Sequence, residues 1–140
     1  MTARTLRIVE TCLYATDLEA AEAFYVDVLG LEVVARDPGR HVFFRCGASM
    51  VLVFNPTVSQ QASSNDDAID VPEHGSFGPG HVAFALDMAE ANAWRAQLAA
   101  HAVAIEREFE WPNGSGYSIY FRDPADNSLE LVTPRLWGLR

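Results

Sequence analysis

The chain contains no lysine. Ten arginines face nineteen acidic residues across 140 positions, for a formal net charge of −9. Without lysine there is no Schiff-base nucleophile and no phosphate-loop lysine. An acidic chain with no basic stretch also excludes nucleic acid and anionic membranes as natural partners. No apolar run approaches the ~20 residues that a membrane-spanning helix needs. The first residues read as the approach to a strand and not as a signal peptide. Cysteine is scarce: Cys12 and Cys46 form neither a disulfide framework nor a CxxC pair. Reduced thiols and a cytoplasmic location are the expectation. There is no GxSxG elbow either. Chemistry is left to His, Asp or Glu, Tyr, Arg, Cys or a bound ion.

What remains is ordinary globular material, 49% hydrophobic and 21% charged, enough for one domain or two small halves sharing a core. Residues 6–15 read as a strand, with Ile8, Glu10, Cys12 and Tyr14 on one face. Asp17 caps a helix over 18–29, with apolar positions at helical spacing, and Gly30 ends it. Strands follow at 31–35, 41–46 and 50–55. Residues 56–79 break the pattern and read as a linker or mobile loop. The plan then repeats: a strand over 80–86, a helix over 88–100 with Asp87 and Glu90 as a capping box, and a strand over 103–109. A hairpin over 117–133 completes it, turning at Asp123-Pro124-Ala125-Asp126-Asn127. The organisation is module 1 at 6–55, linker 56–79, module 2 at 80–134 and a tail at 135–140. Each module is β-α-β-β-β, which predicts an α+β fold with a curved mixed sheet around a cleft.

The repeat places Glu10 and His81 at equivalent points of the first strand of each half. Val51 and Glu130 take equivalent points of the last strand. Glu130 alternates against Leu129 and Leu131, and a carboxylate on an interior face is costly unless it is paired or metal-bound. One imidazole and two carboxylates suit Fe(II), Mn(II), Zn(II), Ni(II) or Co(II). The plainer alternative for Glu130 is an ion pair with Arg45 or Arg122. Cys12, Tyr14, Arg45, Val51 and Tyr120 are candidates to line the cavity. His41, His74 and His101 lie near turns or in the linker and read as exposed, with His74 a possible cap on the site.

The segments E-T-C-L-Y-A-T-D-L-E-A-A-E-A-F-Y-V-D-V-L-G-L, G-P-G-H-V-A-F-A-L and Y-F-R-D-P-A-D-N-S-L-E-L-V resemble the vicinal oxygen chelate superfamily. That group includes glyoxalase I, fosfomycin-resistance and bleomycin-binding proteins, and extradiol dioxygenases. The resemblance implies a divalent metal held by Glu10, His81 and Glu130, with Glu10 or Glu130 also serving as a base. It implies a small-molecule substrate and a homodimer. The expected activity is a metal-dependent glyoxalase-like lyase or isomerase. The alternatives are an Fe(II) extradiol-type dioxygenase and a non-catalytic binding or resistance protein. Glu in place of His or Gln at position 10, and apolar Val51 where glyoxalase I has a further ligand, are the two departures.

Overall fold

The computed structural model describes residues 4–61 and 71–140; residues 1–3 and the middle of the predicted linker, 62–70, lie outside the described residues. The chain forms two compact units that divide between Phe77 and Gly78. In the first unit β1 (Glu10–Tyr14), α1 (Leu18–Asp27), β2 (Glu32–Asp37), β3 (His41–Cys46) and β4 (Ser49–Phe54) are followed by a single helical turn, α2 (Pro56–Ser59). In the second come β5 (His81–Ala85), α3 (Ala91–Ala100), β6 (Arg107–Glu110), β7 (Tyr117–Arg122) and β8 (Ser128–Val132). The two sheets have the same topology, β1-β4-β3-β2 and β5-β8-β7-β6. In each, the outer pair β1–β4 or β5–β8 is parallel and the remaining pairs are antiparallel. The fold is α+β, built from two β-α-β-β-β modules.

Alternation decides which face of each sheet carries its helix. On β3 the even positions Val42 and Phe44 are buried, and Phe44 meets Tyr25 of α1 with ring centroids 5.3 Å apart. On β7 and β8, Ile119, Phe121, Leu129 and Leu131 are fully buried. Each such side chain contributes about 1.5–3 kcal/mol by leaving water. The opposite face of each sheet carries the polar and aromatic residues of interest.

Three boundaries differ from the sequence reading. Strand β1 begins at Glu10 and not at Leu6, because its partner β4 begins at Ser49 and offers no ladder further back; Leu6 and Ile8 are exposed. Strand β6 begins at Arg107, because residues 103–105 are spent leaving α3 through Ala102 at φ 56. The capping box does not form. The Asp87 carboxylate accepts from the Ala89 amide at 3.0 Å and caps a 3-10 turn, Met88–Glu90, leaving Glu90 to start α3 without a side-chain cap.

The β7–β8 turn is held by buried polar groups. The Asp123 carboxylate accepts from the Ala125 and Asn127 amides and from the Asn127 side chain, each at 2.9 Å. Asn127 in turn accepts from the Gly80 amide at 2.8 Å, which ties the start of β5 to β8. Asp126 takes the left-handed conformation at φ 67, which Asp tolerates.

A second cluster fastens α3 to its sheet. Arg95 donates to Glu108 on β6 and to the Tyr117 hydroxyl at 3.1 Å, and that hydroxyl donates to Glu108. The Arg95 hydrogen bond is the main cause holding the Glu108 carboxyl below its usual range. A lowered native value stabilises the fold above the unfolded pKa, and that contribution is lost as pH falls through the folded value. Urea unfolding is therefore expected to show wild-type stability declining below about pH 4.5 more steeply than that of Glu108→Gln. Parallel pH profiles for the two proteins would remove this role.

Candidate metal centre

In the second unit Glu130 lies at the middle of β8, flanked by Ala83 of β5 and Tyr120 of β7. It is 6% exposed. Among the described residues no arginine pairs with it: Arg122 is taken by Glu106 (2.8 and 3.2 Å) and Arg45 by Glu32 (3.4 Å). The ion pair with Arg122 is thereby corrected. Those arginines meet nearer carboxylates on their own edges of the sheets.

The nearest charged-type partner of Glu130 is His81. Its Nδ1 lies 2.8 Å from the Ser128 carbonyl oxygen. A carbonyl only accepts, so Nδ1 carries the proton. The other nitrogen, Nε2, stands 3.4 Å from Glu130 Oε1. That is longer than a charge-assisted hydrogen bond of about 2.7–2.9 Å. Two ligands of one ion, each about 2.0–2.2 Å from it, stand roughly 3.0–3.4 Å apart. The pair therefore suits a shared cation in both donor chemistry and spacing.

The other Glu130 oxygen is oriented from below. Trp111 Nε1 donates to Ser118 Oγ at 2.8 Å, and Ser118 Oγ donates to Glu130 Oε2 at 2.5 Å. An indole N–H can only donate, so the serine hydroxyl must turn its proton toward the carboxylate. Burial pushes the Tyr120 phenol up, and its hydrogen bond to Glu130 adds to this. Rings continue along this face: Tyr120 stacks between His81 (6.5 Å) and Phe109 (5.8 Å).

In the first unit Glu10, Cys12 and Tyr14 share the sheet face away from α1. Together with Leu52, Phe54, His41 and Phe43 they line a pocket of about 740 Å³. Glu10 is exposed and has no hydrogen-bond partner among the described residues. It pairs in register with Met50 as His81 pairs with Ser128, each at the start of a parallel strand pair. Partial desolvation pushes the Cys12 thiol up and the Glu10 charge adds to it, which disfavours a thiolate nucleophile. Within either unit, among the described residues, no three His, Cys, Asp or Glu side chains gather.

One expected cavity residue is corrected. Val51 pairs with Thr11 and is 3% exposed, on the face turned to α1. The counterpart of Glu130 is Leu52, which pairs with Cys12 as Glu130 pairs with Ala83. A one-residue slip reverses a strand's faces. Arg45 is in register with Met50, which pairs with Glu10, and it meets Glu32 at 3.4 Å; it is not among the residues lining this pocket. His41 is half-buried and not exposed, stacked on Phe43 at 4.0 Å, because β3 begins at this residue. His74 hydrogen-bonds the Tyr14 hydroxyl through Nδ1 at 2.7 Å. His101 is exposed.

Ser118 and Trp111 were absent from the sequence reading. Ser118 carried a usable signal: it stands two before Tyr120 and shares its face. Trp111 carried none, since its approach depends on the 3-10 turn Pro112–Gly114, with Asn113 at φ 61.

A family model described as the Glyoxalase/Bleomycin resistance protein/Dioxygenase superfamily matches residues 7–131. The chain belongs to this superfamily. The crystal structure of lactoylglutathione lyase from Agrobacterium tumefaciens is 46% identical, with a TM-score of 0.89, covering 98% of this chain and 100% of that one. A superfamily member from Nocardioides shares the fold at 23% identity and TM-score 0.71, covering 94% of this chain and 85% of that one. A genomically encoded fosfomycin resistance protein from Listeria monocytogenes does so at 20% identity and TM-score 0.64, covering 94% of each. No curated protein matches the chain. A glyoxalase-type role is thus supported at the level of the superfamily. Among the described residues no helix is long and apolar enough to cross a membrane.

Proposed function

We propose that this superfamily member is a divalent-metal-dependent lyase or isomerase acting on a small oxygenated or thiol-conjugated substrate. One observation carries the reading: an imidazole nitrogen faces a buried carboxylate oxygen at 3.4 Å on neighbouring strands, with no arginine among the described residues of that unit paired to the carboxylate. The likeness to a lactoylglutathione lyase supplies the substrate to test first. His81 and Glu130 would hold the ion, with Glu10 as the proposed third ligand. Zn, Ni, Co, Mn or Fe suits this donor set. When bound, such an ion would supply Lewis-acid chemistry. Glu130 is tied to Ser118 and Tyr120, which suits a fixed ligand. Glu10 lacks such ties, which supports it over Glu130 as the group that would move a proton from substrate carbon.

The test is titration of metal-stripped protein with each of the five ions, alongside lactoylglutathione turnover. One ion per chain and turnover only in the loaded protein are expected. Loading without turnover of lactoylglutathione would replace the substrate but keep the centre. Absence of tight loading by any of the five would remove the reading.

Ser118 and Trp111 act on the centre through Glu130. Ser118→Ala is expected to weaken metal binding about 10–100-fold, with Ser118→Thr restoring most of it. Trp111→Phe should give a smaller loss, because the hydroxyl survives but its direction is no longer dictated. Calorimetric titration reads both, and unchanged affinity in Ser118→Ala would show that the hydroxyl plays no part.

We also propose that the chain works as a homodimer. Leu6, Ile8, Trp137 and Leu139 are 64–95% exposed, apolar surface that a second copy would cover. Light scattering returning only the 15.4 kDa mass would overturn this.

A further inference from the structure

We propose that the face of the first sheet turned away from α1 is a binding site for an uncharged planar aromatic group bearing a hydrogen-bonding substituent. It shares Glu10 with the metal reading but goes beyond that reading in the class of ligand and requires no ion.

Five rings form a connected cluster there. Phe54 is its centre, with Phe43 at 5.3 Å, His41 at 5.7 Å, His74 at 4.4 Å and Tyr14 at 6.4 Å. All five are only half-buried, and all line the same pocket of about 740 Å³. A sheet face facing away from its helix is ordinarily polar; this one presents ring faces and edges, which favour stacked or edge-on contact with another ring. The volume falls in the range of small-molecule sites and accommodates a bicyclic ring with water to spare.

The polar requirement comes from a second observation. Among the described residues two buried side-chain polar atoms lack any hydrogen-bond partner, Ser59 Oγ and His41 Nδ1. Both residues line this pocket. Ser59 is 3% exposed, and a buried hydroxyl without a partner is a standing cost that a ligand's polar group relieves. Tyr14 and His74 already satisfy each other at 2.7 Å, so they hold the rings in place and leave the polar contact to Ser59 and His41.

The charge of the ligand follows from the lining. Glu10 and Glu73 stand against one guanidinium, Arg40. Burial is the main cause holding the His41 imidazole below its usual range, so it adds no positive charge at neutral pH. In the metal-free chain an anionic ligand meets net repulsion here, and a neutral one does not.

The experiment titrates the full chain, stripped of divalent metal, with 2-naphthol and, separately, with the anionic isostere 2-naphthoate, by calorimetry. Saturable 1:1 binding of 2-naphthol is expected, with 2-naphthoate weaker by about tenfold or more. Phe43→Ala should weaken 2-naphthol about tenfold. Ser59→Ala, which removes a hydroxyl with no partner among the described residues, should weaken it about threefold to tenfold. No saturable binding of 2-naphthol, binding undiminished in both variants, or tighter binding of 2-naphthoate would overturn the proposal. The site shares Glu10 with the metal reading, so the titrations are made on metal-stripped protein, where failure of this proposal and failure of metal loading are read separately.

Discussion

Replacing Glu130 by alanine or glutamine is expected to reduce divalent-metal affinity more than about a hundredfold and to abolish metal-dependent turnover. The loss of a direct ligand should exceed the 10–100-fold typical of residues that only orient one. Stability should move differently. Glu130 is 6% exposed, and a buried carboxylate without a cation is a strain on the native state. Removing it should leave the melting temperature of the metal-free protein unchanged or raised. The wild-type chain, by contrast, should gain about 4 kcal/mol at a metal concentration a thousandfold above Kd, and the variants should gain little. His81→Ala should behave alike in metal binding. The two signs together separate a ligand from a merely structural carboxylate. If Glu130→Gln and His81→Ala both keep the wild-type affinity, the centre lies elsewhere.

Phe44→Ala is expected to cost about 3–5 kcal/mol, lowering the melting temperature by about 10 °C or more. Phe44 is fully buried and its ring packs on Tyr25, itself fully buried in α1. Truncation leaves a cavity at the point where helix and sheet meet, and rigid neighbours on a hydrogen-bonded ladder cannot close it. Phe43, one residue earlier, faces the other way and is half-buried. Phe43→Ala should cost about 1 kcal/mol or less. Comparable losses for the two would mean that the faces of β3 are reversed.

That contrast marks where the sequence was legible. The repeat of two β-α-β-β-β modules could be read because turn residues and hydrophobic periods are local signals. Asp123 to Asn127 announced the hairpin, and the alternation of Ser128 to Val132 placed Glu130 opposite Leu129 and Leu131. The hydrogen bonds at that turn agree with this reading. Edges were less legible. Leu6 to Val9 look like strand by composition, but a strand needs a partner, and β4 starts too late to supply one.

The site divides the same way. His81 and Glu130 were nominated by their place in the repeat. Their approach to 3.4 Å is a product of the parallel β5–β8 register, in which Glu130 faces Ala83, two residues beyond His81. The match of Val51 to Glu130 failed for a related reason. Counting along two similar strands leaves register free by one residue, and one residue reverses every side chain on the strand. Only the ladder, with Cys12 opposite Leu52, settles it. The order of elements, the acidic surface and the residue types able to carry chemistry were determined by the sequence, because each is a property of neighbours along the chain. Which carboxylate meets which imidazole, where the arginines are spent, and how Trp111 and Ser118 aim Glu130 were decided by tertiary structure. Those depend on strands far apart in sequence being hydrogen-bonded in one register and not its neighbour.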